Sequence, residues 1–411
     1  MVVLKARSLI FICWTSACWA FSFGLGSQAV THWLHAQDIS DTVIGWNHSF
    51  YYFGLAVGSW AVPSLMRRFG STWCVALGLI ISGITLAVFP SFSEVWGWYL
   101  VRFLNGWAGA MSIVPFETII SRASLPAHKT RNFACYGVSM AAGAALGIGY
   151  GSLLFEPGRM LVFVVGGVAV LIAGVAVVLE MSRYPGPAES TEPAVPLQWR
   201  QNFLSYGTAW FQGFLEGGML AFLPLFLAWQ GFSTEHASML MGVTMIGVIV
   251  FQVPVSWLAD RYGKTPMLIG CYAVVMLGLL SIPWLPGPIW VAFALFCFGA
   301  CTGAMYPLGL SLLGDRMSEA SLARAYAWYL AIECVGSQAG AAVMGHARDF
   351  WGEAAMFSVG LAAAFFVLAI GLGLYLSGRR RELVSSSTPD FVSPISDGKS
   401  PRLPTPLQKA S

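Results

Sequence analysis

Long apolar runs, separated by short charged or turn-rich breaks, recur from one end of this chain to the other. A helical run of about 20 apolar residues matches the hydrocarbon core of a bilayer. The pattern predicts twelve such helices, near 8–30, 42–65, 72–92, 94–121, 132–155 and 160–181, then 202–229, 235–258, 265–284, 287–313, 322–346 and 352–377. A longer polar stretch, 182–199, carries Pro185, Pro187, Pro193 and Pro196 and divides the sixth run from the seventh. From Arg379 onward the chain turns Ser- and Pro-rich, and a disordered tail is expected over 379–411.

Composition sharpens the class. Of 411 residues, 57% are hydrophobic and 10% charged, with mean hydropathy +0.68. A soluble domain carries about 25% charged residues, so too few are present to coat a water-facing surface. That excludes a soluble enzyme, a nucleic-acid binder and a disordered chain. The eight cysteines all sit in apolar runs, where Cys behaves as a small hydrophobe. Cys297 and Cys301 share a helix face but have no neighbouring His or carboxylate to complete a metal site. The six histidines are scattered over both sides of the membrane rather than clustered at one level. The expectation is a polytopic, all-α membrane protein that is not an enzyme and needs neither metal nor cofactor. Lys5 and Arg7 before the first run resemble a secretory leader, but no small-residue cleavage site follows, so the run reads as a retained span.

The basic residues then set a topology. Apart from Arg159 and Arg348, and Arg102 inside a span, every Lys and Arg falls in a break on the same side as both termini. Positively charged loops stay in the cytoplasm, so an even number of spans with both termini cytoplasmic is expected.

An internal duplication organises these spans. At an offset of 193 residues, Arg68-Phe69-Gly70 falls on Arg261-Tyr262-Gly263, Phe103 and Gly106 on Phe296 and Gly299, Arg131 on Arg324, Tyr136 on Tyr329, Gly143 on Gly336 and Gly147 on Gly340. Six spans separate each pair, so the halves share one orientation. The expected organisation is a six-helix bundle over 1–181, a cytoplasmic linker over 182–199, a second six-helix bundle over 200–378 and the tail. Parallel six-span repeats place a substrate between the halves near the bilayer midplane.

Specific motifs strengthen that reading. Asp260-Arg261-Tyr262-Gly263-Lys264 resembles the loop signature of major facilitator transporters, and Arg67-Arg68-Phe69-Gly70 is a second copy with Arg67 in place of the acid. Arg102-Phe103-Leu104-Asn105-Gly106 is similar to the family's intramembrane Arg motif. Gly143, Gly147 and Gly151 resemble the glycine ladder of its drug antiporters, with Ile148 where that motif has Pro. Within the superfamily the chain looks nearest to the bacterial YcaD-like branch. That likeness rests on the start of the fourth span with Glu117 toward its end, on Phe251-Gln252-x-Pro254, and on Met305-Tyr306-Pro307-Leu308. The resemblance implies the major facilitator fold and a monomeric transporter in a bacterial inner membrane. It moves a small molecule by alternating access, with protons as the simplest energy source. The glycine ladder points toward efflux, and the scarcity of intramembrane charge toward an apolar or amphipathic cargo. The alternative is a non-transporting receptor or assembly partner on the same scaffold.

Charged residues inside a bilayer cost about 2.5–3.5 kcal/mol each on insertion scales and face a cavity or partner. On that ground Arg102, Asn105, Glu216, Glu333, Gln212 and His48 are candidates for the substrate or proton pathway. Arg68, Gly70, Asp260, Arg261, Gly263, Arg131 and Glu117 are candidates for a conformational gate. Asp260 is expected to meet helix N-termini and cations of the other half, with Arg122 or Arg131 as partner. A salt bridge of Glu117 with Arg122 or Arg131 is weighed equally with a transport role. By the 193-residue symmetry, Arg67 or Arg68 should meet Asp315 or Glu319.

Overall fold

The computed structural model describes residues 6–154, 160–181 and 196–387. Lys5, Arg159, Arg183, most of the linker and the tail from 388 lie outside the described residues. The first half holds α1 (Ala6–His35), α2 (Asp41–Phe69), α3 (Ser71–Val88), α4 (Val95–Ala123), α5 (Lys129–Leu154) and α6 (Leu161–Met181). The second holds α7 (Phe203–Trp229), α8 (Thr234–Tyr262), α9 (Lys264–Ser281), α10 (Pro288–Gly314), α11 (Glu319–Trp351) and α12 (Ala355–Ser387). No strand occurs among the described residues. The last helix runs past the expected boundary at 378, because Arg379 to Leu383 are strong helix formers and no Pro interrupts them before Pro389.

Among the described residues, eight helices are long and apolar enough to cross a membrane unaided, and α7 makes a ninth when its two pieces are joined across a 46° bend. The bend follows Gly217-Gly218 and precedes Pro224, residues that weaken the helical ladder. The remaining helices, α2, α4 and α11, are at least as long as most of the others but carry Asn47 and His48, Arg102 and Glu117, and Glu333 and Gln338. Their polar load explains why hydropathy alone passes over them.

Glycine sets the packing. An added Cβ at Gly24, Gly143 or Gly147 would run into the backbone of Ala144, Ala17 or Phe21, so α1 and α5 touch backbone to backbone. At Gly54 and Gly106 it would meet Phe103 and Tyr51, pinning α2 to α4 in the same way. The second half repeats each contact at the same offset. Gly217, Gly336 and Gly340 meet Ser337, Trp210 and Phe214 between α7 and α11, and Gly247 and Gly299 meet Phe296 and Thr244 between α8 and α10. The span-five glycine ladder is therefore half of a helix–helix seam. Two further repeats follow the offset: Gly70 and Gly263 end α2 and α8 at φ +81° and +106°, and 3-10 turns close α3 and α9 at Phe89–Ser91 and Ile282–Trp284.

Apolar side chains then fill each half. One cluster lies wholly in α7–α12 around Phe211, Tyr272, Leu295 and Phe357, and another in α1–α6 around Leu25, Leu86 and Phe163. A third crosses the halves, joining Phe133 and Val114 to Tyr326, Tyr329 and Leu313.

The glycine contacts carry a prediction of opposite signs. Gly106→Ala forces a Cβ into the Tyr51 carbonyl and should cost about 1–3 kcal/mol. Gly270→Ala has open space around it and should gain about 0.5–1 kcal/mol from helix propensity. Thermal unfolding of the two purified variants checks this, and equal shifts would contradict the packing.

Candidate functional site

The breaks that hold Arg67, Arg122, Lys129, Arg261, Lys264, Arg316 and Arg324 gather at one end of the bundle, called here the basic end. There the halves are bonded together. Asp260, in the last turn of α8, accepts from the backbone N–H of Thr130 through Oδ1 and of Arg131 through Oδ2, each at 3.0 Å. These are unpaired amides in the first turn of α5, so one carboxylate caps a helix of the opposite half and meets its positive dipole end. The partner is thus the helix terminus; the guanidinium groups of Arg122 and Arg131 do not pair with Asp260 among the described contacts. Thr130 and Ser311 join their hydroxyls at 2.8 Å, and Phe133 meets Tyr326 edge-on at 6.0 Å.

Asp315 is the second anchor. Lys129 of the first half reaches it at 3.1 Å, Lys264 holds its other oxygen, and Lys129 also donates to the Gly314 carbonyl. This overturns the expected pairing of Arg67 with Asp315: Arg67 donates to Ser64 at 3.0 Å on its own helix. Arg68 and Arg261 are exposed and lie over Phe69 and Tyr262, so in this conformation neither bridges the halves. The Arg122 guanidinium donates to the Glu319 carbonyl. The 193-residue offset pairs Arg122 with Asp315; the symmetry thus marked Asp315 as an anchor, and only its partner, Lys129 rather than Arg67, differs from the expectation.

Deeper in the seam, Glu117 is completely buried. The expected salt bridge with Arg122 or Arg131 does not form; Tyr306 of α10 donates to Glu117 Oε1 across the halves at 2.7 Å. Tyr329 stacks edge-on against Tyr306 at 5.3 Å and donates to its carbonyl. Glu333 on α11 interacts electrostatically with Glu117 and Tyr306. Glu216 sits at the middle of α7 and is exposed, yet it interacts electrostatically with Glu333, Tyr51 and Tyr52, so it faces the seam. Gln212, one turn earlier, is half-buried, with Oε1 unpartnered. Toward the far end, Ser49 of α2 donates to Gln338 of α11 at 3.0 Å.

Arg102 and Asn105 lie apart from the carboxyls, within the first half. Arg102 is 3% exposed and stands over the Tyr51 ring at 4.9 Å. Asn105 donates to the Ser82 carbonyl and to Thr85 Oγ1 on α3. His48 meets Thr31 at 3.3 Å and faces Arg102. Tyr306 was the residue that sequence reasoning valued too little: a Tyr before Pro in an apolar helix carries no sign of the carboxyl it meets.

A two-half helical bundle, bonded across its seam chiefly at one end and carrying acids at mid-height, has the architecture of a membrane transporter. The family model described as Major Facilitator Superfamily matches residues 10–341 and 206–402, and the chain belongs to that family. An uncharacterised MFS-type transporter of Bacillus subtilis (strain 168), YfkF, is 24% identical over 72% of this chain and 77% of its own length. Another, from Enterobacter sp. (strain 638), is 25% identical over 82% and 87%. Among solved structures, the transporter FucP in the outward conformation superposes with TM-score 0.72 at 14% identity, over 87% of this chain and 97% of that one. The proton:xylose symporter XylE superposes with TM-score 0.70 at 12% identity, over 90% and 97%.

The latch generates a prediction. Asp260→Ala removes both caps of α5 and should weaken closure at the basic end by about 1–2 kcal/mol. Spin labels on the α4–α5 and α10–α11 loops should then report a broader, longer distance distribution than in wild type. An unchanged distribution would show that Asp260 does not hold the halves.

Proposed function

We propose that this chain is a proton-coupled secondary transporter that moves a small molecule across the bacterial cytoplasmic membrane. In this reading α2, α4 and α11 also span, giving twelve helices in bundles 1–181 and 200–378. The basic end lies in the cytoplasm, as positive-inside topology supports, and the latched conformation is then the one closed toward the cytoplasm. Family membership supports transport, and the structural neighbour XylE, a proton:xylose symporter, supports protons as the coupling ion.

One observation carries the proposal. Glu216 and Glu333 lie at mid-height on α7 and α11, which touch at Gly213 and Gly217; they interact electrostatically with each other and with Tyr52, and neither forms an ion pair among the described residues. A carboxyl with no resident cation can take up and lose a proton as the seam opens to one side and then the other. Walls made mostly of aromatic and aliphatic side chains favour an apolar or amphipathic cargo, and export is the direction proposed.

Purified protein in proteoliposomes with an internal pH dye tests this. Addition of a cargo from a drug and metabolite panel should change the internal pH in wild type, and Glu333→Gln or Glu216→Gln should reduce the change to background while cargo still shifts thermal stability. Full proton flux in both variants would refute the assignment.

A further inference from the structure

Beside Arg102 the first half contains a small polar cavity, lined by Ser22, Tyr51, Ser82, Arg102 and Asn105 among apolar neighbours. It offers about 10 Å³ to the centre of a water-sized particle, room for a single small guest. The donors converge without protein partners. Arg102 is 97% buried by its 3% exposure, and its Nε and Nη2 find no acceptor; Ser82 Oγ is buried and equally unpartnered. No acidic side chain forms an ion pair with Arg102 among the described residues. Its charged and titratable neighbours are Tyr51, Tyr52 and His48. The Asn105 amide is spent on Ser82 O and Thr85, which fixes the α3–α4 wall of the cavity.

The repeat supplies an independent control. At the 193-residue offset, Ser22, Ser82, Arg102 and Asn105 become Leu215, Val275, Leu295 and Phe298, all buried and apolar. The same position in the second half is thus closed by ordinary hydrophobic packing. The fold does not require a polar cavity there, and the four polar residues occur together only in the first half.

We infer that this cavity is a binding site for a monatomic halide, chloride under physiological conditions, held by the Arg102 guanidinium and the Ser22 and Ser82 hydroxyls. A buried cation without a counter-charge is strongly unfavourable, and the cavity admits a single-atom anion where it would not admit a carboxylate or phosphate. Water could satisfy the N–H groups but would leave the charge uncompensated. The site is separate from Glu216 and Glu333, and the inference holds whether or not protons drive transport.

The test uses full-length protein in detergent, moved from sodium gluconate to sodium chloride at constant ionic strength. Chloride and bromide should raise the unfolding temperature saturably, by about 2–4 °C, and gluconate, too large for the cavity, should not. Arg102→Met should abolish the halide response. Should that variant fail to fold, Ser82→Ala should still shift the halide midpoint several-fold to higher concentration. Bromide-soaked crystals of the wild-type protein should give an anomalous peak beside Arg102. Identical unfolding in chloride and gluconate, or crystals without that peak, would mean that water fills the cavity and would overturn the assignment.

Discussion

The close approach of paired helices at glycine is the constraint on which the remaining structure depends. Gly143 and Gly147 let α5 lie against α1, and Gly54 and Gly106 join α2 to α4; the second half repeats each contact 193 residues later, down to the carbonyl approached. In a bilayer, helices gain little from hydrophobic burial against one another, because lipid is as apolar as Leu, and association leans on such intimate contact. The glycines therefore define each half as a packed body and fix which helix faces are left over for the seam.

On that repeated frame the polar residues are laid down asymmetrically. Asp260 caps α5, whereas the equivalent position in the first half is Arg67, a cation that would repel the positive end of α11. Arg122 and its counterpart Asp315 are likewise inverted, and Lys129 and Lys264 converge on Asp315 from opposite halves. Opposite charges at equivalent places let two similar bodies attract at their joint, where identical charges would have repelled. The same asymmetry leaves Arg102 in one half and Leu295 in the other.

Much of this was legible in the residues. Apolar runs read together with the charged and turn-rich breaks between them located all twelve helices, and the offset found the glycine pairs and the turn glycines Gly70 and Gly263, because backbone demands survive duplication as identities. Asp260 was recognisable as a contact to the other half through its loop motif. What could not be read was partnership across the seam. Glu117 had Arg122 and Arg131 nearby in sequence, but α4 turns it inward toward Tyr306, nearly two hundred residues away, and no periodicity records which face of α10 looks back. Arg67 failed for a related reason. Symmetry predicts where a side chain stands, but Lys129 and Lys264 were better placed to reach Asp315.

The two kinds of contact differ in a way that suits movement. Within each half, helix pairs are held by backbone-to-backbone contact at glycine and by large buried side chains. Between halves, the basic end is held by separate polar contacts: the Asp260 caps, the Asp315 pairs, Thr130 with Ser311, and Tyr306 with Glu117. Each is worth about 0.5–1.5 kcal/mol net, somewhat more where charge is involved. Water or an alternative polar partner can replace every one of these polar contacts, whereas the apolar cluster that crosses the halves around Phe133, Tyr326 and Leu313 has no such substitute. Among the described residues, backbone-to-backbone glycine contacts are confined to helix pairs within a half, so the joint between the halves relies on contacts made by side chains.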